Sequence, residues 1–170
     1  SKSKIPREDY TQLLKTFNPA KFHAEILVSA AKQAGMKYLV ITTKHHEGFC
    51  LWDSQYTDYD VASTPFKGRD ILDELNKACK KHDLKFGLYY SIIDWHHPAQ
   101  TGLSGQTKIV EGRKQEYVDY QRNQVLELIE KYDPAMLWFD ADWAKWWTMQ
   151  DGINLYNAIR TASPTAIVNN

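Results

Sequence analysis

Asp140 closes the apolar run Ala135-Met136-Leu137-Trp138-Phe139. A carboxylate at the mouth of a largely apolar strand has to be paired, hydrogen-bonded or put to chemical use, because burying it bare is costly. It is either a reacting group or a cap for the helix after a βα turn, a common duty of aspartate. Trp138 lies one strand period earlier, so its indole is expected on the same face as the carboxylate, a pairing suited to a sugar. Asp142 would share that face if the strand continued, but it is better placed to cap the following helix.

His45-His46-Glu47 forms a second cluster. Adjacent histidines at a strand end can bind a metal or hydrogen-bond to ligand hydroxyls. A metal would want a third ligand at helical or alternate-strand spacing, which the local sequence lacks, so hydrogen bonding to a polar substrate is the better reading. Asp94-Trp95-His96-His97-Pro98, and Trp143, Trp146 and Trp147, set indoles beside these polar groups. Either they line a site or they pack loops onto a rim, and Trp146-Trp147 are expected to begin a helix. No glycine-rich phosphate loop, Gly-x-Ser-x-Gly elbow or recognisable Cys–His pairing occurs, which argues against nucleotide, esterase and thiol-protease chemistry.

Something must carry these residues to one place. Amphipathic segments alternate with short apolar runs four times. Asn18-Pro19 reads as a helix start, with Phe22, Ile26, Ala30 and Ala34 on one face and Gly35 as the stop, before a strand over Lys37–Thr43. Ile71, Leu72, Leu75 and Ala78 define a helix through Lys81, followed by a strand over Leu84–Ser91. A polar loop with Gly102, Gly105 and Gly112 precedes a long helix carrying Tyr117, Tyr120, Val125, Leu128 and Ile129. Asp133-Pro134 breaks that helix before the strand at Met136–Phe139. A last helix near Gly152–Thr161 leads to Ala166-Ile167-Val168.

The alternation predicts an α/β fold with parallel strands. Polar groups collect at the C-terminal ends of several strands, which favours a (β/α)8-like barrel over a doubly wound sheet, here represented by an incomplete set of βα units. The 170 residues, 43% of them hydrophobic, are expected to form one catalytic-domain segment spanning 1–170. Lys plus Arg equals Asp plus Glu at 21 each, so bulk charge draws the chain to neither nucleic acid nor an anionic membrane. The aromatic share is 13%, rich enough to serve both packing and sugar stacking. Cys50 and Cys79 make neither a disulfide framework nor a zinc spacing and read as buried small hydrophobes. No apolar run is long enough to span a bilayer, and Ser1-Lys2-Ser3-Lys4 leads into no signal-peptide core.

The unbroken string from Gly35 to Ser54, which contains Lys44-His45-His46-Glu47-Gly48-Phe49, resembles the signature of the α-L-fucosidases of glycoside hydrolase family 29. Further matches follow in order: Thr57, Arg69-Asp70, Gly87-Leu88-Tyr89-Tyr90-Ser91, Asp94-Trp95, Gln124, Glu127-Leu128, Tyr132, Trp138-Phe139-Asp140 and Val168-Asn169-Asn170. The resemblance runs from about Phe17 to the end. It implies that Asp140 is the catalytic nucleophile and that His45, His46, Tyr89 and Trp138 bind the sugar. It implies retention by double displacement on fucosylated oligosaccharides or glycoconjugates, with no metal and no cofactor. A secreted, periplasmic or lysosomal setting follows from the family, as do partners in the remaining barrel segments or further domains.

Two departures stand out. Ala141 occupies the position of the glycine in the family's Trp-x-Asp-Gly motif; it would cost about 1 kcal/mol if φ is positive there. The family's first barrel strand would precede Ser1 and its glutamate acid/base would follow Asn170, so no acid/base residue is assigned, and neither Glu47 nor Asp142 matches that position. Two other readings compete: a non-catalytic glycan-binding fragment, and a metal-dependent barrel hydrolase using His45, His46, Asp94 and Asp140.

Overall fold

A computed structural model describes residues 5–102 and 107–170. Gly105 and the Ser1-Lys2-Ser3-Lys4 start lie outside the described residues. A short helix α1 (Arg7–Thr11) and a 3-10 turn lead to α2 (Ala24–Gln33), β1 (Tyr38–Lys44), α3 (Ile71–Lys81) and β2 (Lys85–Ser91). Then come β3 (Gln100–Thr101), β4 (Lys108–Ile109), α4 (Lys114–Tyr132), β5 (Met136–Asp140), α5 (Met149–Ala162) and β6 (Ile167–Asn169). Strands β1, β2, β5 and β6 form one parallel sheet in that order. The predicted polar loop contains an unpredicted small hairpin, β3 with β4.

The two faces of the sheet differ. Phe86, Leu88 and Tyr90 of β2, with Leu137 and Phe139 of β5, are buried in one core with Leu72, Leu75 and Cys79 of α3 and Val125, Leu128 and Ile129 of α4. Cys50 and Cys79 are both free and buried, as expected. The opposite face carries two cross-strand rows, Val40–Gly87–Met136–Ile167 and Thr42–Tyr89–Trp138–Asn169. Gly87 lets its neighbours close in: a Cβ there would stand 2.9 Å from Val40 Cγ2 and 3.2 Å from Met136 Cβ.

Helix ends follow their chemistry. Asp70 caps α3 by accepting from the Asp73 N–H at 2.9 Å, with Asp73 and Glu74 in its first turn and Lys80 and Lys81 in its last, as the helix dipole favours. Asp133, at φ 43°, ends α4 just before Pro134. A reciprocal capping box between Thr148 and Asp151 starts α5. Trp146 and Trp147 therefore precede that helix and do not begin it. Nor does Asp142 cap it; its Oδ2 accepts from Asn170 Nδ2 at 2.8 Å.

The first helix also departs from expectation. Asn18-Pro19 forms a tight turn closed by Ala20 N to Asn18 O and Phe22 N to Pro19 O, both 2.8 Å. His23 is extended, and α2 begins at Ala24. The later start rotates the buried face to Ala24, Val28 and Ala31, leaving Ile26 68% exposed. Small residues on that face let α2 approach α3 closely.

Candidate active site

A bulge at the end of β1 organises the site. Thr42 pairs with Tyr89, but Lys44 pairs with Tyr90, so two residues of β1 advance against one of β2. Without the shift Lys44 would share the face of Thr42. With it, Lys44 turns to the helix side and is fully buried. His45 and His46 follow at the sheet's C-terminal edge.

Asp140 ends β5 opposite Ser91. Its Oδ2 accepts from the Tyr89 hydroxyl, and its Oδ1 accepts from the Ala141 N–H at 2.6 Å. His46 Nε2 stands 3.8 Å from Oδ2. Burial alone would raise the Asp140 pKa; the Tyr89 hydroxyl and the Ala141 N–H outweigh it and hold the carboxyl below its ordinary value. Burial, reinforced by the neighbouring carboxylate, pushes the Tyr89 phenol up, so it stays a protonated donor. Ala141 sits at φ 72° and is fully buried, so the glycine-like turn is kept at the cost foreseen for a side chain there, about 1 kcal/mol.

The two histidines are held differently. His45 is half exposed, stacks near-parallel on Tyr89 at 5.9 Å and brings Nδ1 to 3.4 Å from Glu47. His46 is mostly buried, with Nδ1 2.7 Å from Ser91 Oγ. Trp95 lies 5.4 Å from its ring and Trp143 meets it edge-on at 6.2 Å. Burial first, then the nearby His45, lowers the His46 pKa, so its ring is held neutral. Trp138 lies on the same face one row below Asp140, 42% exposed and paired in register with Tyr89.

Behind the sheet, Lys44 Nζ donates to Tyr90 Oη at 2.9 Å and to Asp94 Oδ2 and Gln124 Oε1 at 3.3 Å. Asp94 Oδ2 also accepts from Tyr120, and its Oδ1 from the N–H groups of His96 and His97. Burial opposes ionisation of Asp94, but Lys44 and these donors keep its pKa low. Trp95 N donates to His46 O at 2.7 Å, tying this turn to the histidines. Gly48, at φ 89°, allows that packing: a Cβ there would lie 2.2 Å from Asp94 Oδ1.

These contacts correct the four-ligand metal set. Asp94 is committed to the network behind the sheet and does not join His45, His46 and Asp140. Donor atoms of those three do fall within 4.8 Å of one another, a spacing that could accept a cation. Both Asp140 oxygens, however, already accept from Tyr89 and Ala141. Of the residues expected to act together, His45, His46, Tyr89 and Asp140 converge, with Trp138 beside them. Sequence reasoning missed the parts played by Lys44, Gln124 and Ser91. A lysine directly before the paired histidines was the only local signal for the first.

Residues 2–170 match the family model described as alpha-L-fucosidase. The chain belongs to the α-L-fucosidase family. It is 33% identical over 161 residues to a putative α-L-fucosidase of Caenorhabditis elegans, covering 90% of this chain and 32% of that protein. Human plasma α-L-fucosidase is 36% identical over 137 residues, covering 79% and 28% respectively. An α-L-fucosidase from Lactobacillus casei, solved in complex with α-L-fucose product, aligns with a TM-score of 0.86 at 35% identity over 99% of this chain and 57% of its own. Isoenzyme 1 from Paenibacillus thiaminolyticus gives the same TM-score at 38% identity, over 99% and 42%. The chain thus spans about a third of the length of these curated relatives and about half of these solved enzymes. Like the fold of these α-L-fucosidases, the four parallel strands and their helices are part of a (β/α)8 barrel, with the site at its C-terminal edge.

Proposed function

We propose that this chain carries the nucleophile and much of the sugar pocket of a retaining α-L-fucosidase, as one catalytic-domain segment over residues 1–170. The observation that carries the reading is Asp140: a carboxylate at the C-terminal barrel edge, kept ionised by the Tyr89 hydroxyl and the Ala141 N–H. Asp140 attacks the anomeric carbon of an α-L-fucoside and forms a β-fucosyl ester as the bond to the leaving oxygen breaks. Water then cleaves the ester and releases fucose with net retention. In retaining enzymes a second carboxylic acid about 5–5.5 Å from the nucleophile protonates the leaving oxygen. Glu47 faces His45 and Asp142 is bonded to Asn170, and neither is assigned that role. His45, His46 and Tyr89 bind sugar hydroxyls, and Trp138 packs on the less polar face and methyl group.

A fucosylated glycan as substrate is supported by the L. casei enzyme, solved with fucose and, as a variant, with a fucosyl-GlcNAc disaccharide. A secreted setting is supported by the plasma relative; among the described residues no helix is long and apolar enough to cross a membrane. The test uses the intact protein on an aryl α-L-fucoside. Asp140→Gly is expected to lose on the order of a thousandfold or more in turnover, and azide to restore part of it as β-fucosyl azide. Near-normal turnover of the variant, or no rescue by azide, overturns the assignment.

A further inference from the structure

The hydrogen bonds around Ser91 bear on a question of proton placement at the site. Ser91 Oγ lies 2.7 Å from His46 Nδ1, 2.7 Å from the Ile93 carbonyl oxygen and 3.1 Å from the Ile93 N–H. A hydroxyl has one proton to give and two lone pairs to receive with. The Ile93 N–H takes one lone pair. The remaining choice is whether the proton goes to the Ile93 carbonyl or to His46 Nδ1.

Ile93 is fully buried. Among the described residues Ser91 is the donor its carbonyl has, and a buried carbonyl left without one is unfavourable. If the proton goes to that carbonyl, every group is satisfied: Ser91 Oγ receives from Ile93 N–H and from His46 Nδ1–H. If it goes to His46, the Ile93 carbonyl is orphaned.

We infer that Ser91 is a positioning residue that fixes His46 as the Nδ1–H tautomer, so that the bare Nε2 faces Asp140 as a hydrogen-bond acceptor for a substrate hydroxyl. Nε2 and Asp140 Oδ2 are 3.8 Å apart, too far for a hydrogen bond between them. Two acceptors facing one another across that gap call for a donor near both, and a sugar hydroxyl at the reacting centre supplies one. Burial, which keeps the ring neutral, agrees with this role. His46 thus gives its one proton to Ser91 through Nδ1 and accepts at Nε2; it does not donate toward the substrate.

The inference rests on the fucosidase reading for the identity of the hydroxyl, but its first test does not. Long-range nitrogen–proton NMR of the intact protein with labelled histidine, at a pH where His46 is neutral and with His46→Gln for assignment, is expected to report protonated Nδ1 and bare Nε2. A wild-type His46 protonated on Nε2 overturns the inference, whatever the activity. Ser91→Ala should populate both tautomers and raise KM about tenfold with kcat within about twofold, the loss of a contact made equally before and during reaction. A Ser91→Ala protein that keeps one Nδ1–H tautomer and an unchanged KM also refutes it. If that variant fails to fold, the wild-type spectrum alone decides. Should the intact wild-type protein fail to turn over an aryl α-L-fucoside while His46 shows the expected tautomer, the fucosidase reading fails and the tautomer assignment stands.

Discussion

Replacing Lys44 by methionine leaves Asp94 as a buried carboxylate without its cation. Lys44 is fully buried and Asp94 is 1% exposed, so solvent cannot take the place of the missing ammonium. Breaking such a pair from one side costs about 3–5 kcal/mol. The loss also removes the Lys44 donor from Tyr90 and Gln124. Lys44→Met with Asp94→Asn removes both charges while keeping an oxygen for the His96 and His97 N–H groups, and should recover roughly half the loss. Chemical denaturation of the intact protein, read as a double-mutant cycle, measures both. The pH dependence supplies an independent sign. Because the folded pKa of Asp94 lies below its unfolded value, its contribution is present at neutral pH and lost as pH falls through the folded value. Without Lys44 the folded value moves up toward or past the unfolded one, so the variant should lose less stability than wild type on acidification. A Lys44→Met cost below about 1 kcal/mol, or a double variant no more stable than the single one, refutes the pairing as the support of this turn.

Tyr89→Phe removes a donor from ionised Asp140. The carboxyl pKa should rise, so the acid limb of the kcat/KM profile on an aryl α-L-fucoside moves to higher pH; an acid limb that stays in place argues against this hydrogen bond. Gly48→Ala adds a Cβ at φ 89°, 2.2 Å from Asp94 Oδ1, and should destabilise by about 2–4 kcal/mol in denaturant unfolding. A loss under about 1 kcal/mol would mean that the turn moves freely away from Asp94.

Most of the front of the site was legible from residue order. Asp140 and the histidines each terminate an apolar run, and period-two alternation placed Trp138 on the face of Asp140. The back of the site was not, for one physical reason: alternation puts Lys44 with Thr42, and only the register against β2 reverses it. Ser91 was visible as a strand-end hydroxyl, but its partner Ile93 lies in a turn whose path no local pattern specifies. Phase errors explain the helices. Asn18-Pro19 offered a plausible start, yet His23 breaks the backbone path and rotates the buried stripe. For α5 the correct signal, Thr148 with Asp151 three residues on, was present, and the preceding tryptophans outweighed it. The β3–β4 hairpin is two residues per strand, too short to carry alternation.

The bulge in β1 acts as an insulator. In an uninterrupted strand Lys44 would lie on the pocket face opposite Ser91, two strand spacings from Asp140, about 10 Å between backbones. An extended lysine spans most of that distance. The nucleophile would then have a resident counter-ion, and each substrate would have to displace it. One extra residue sends the ammonium through to the other side of the sheet, where Asp94 receives it. Asp140 is left with neutral donors, which favour its ionisation without neutralising its charge.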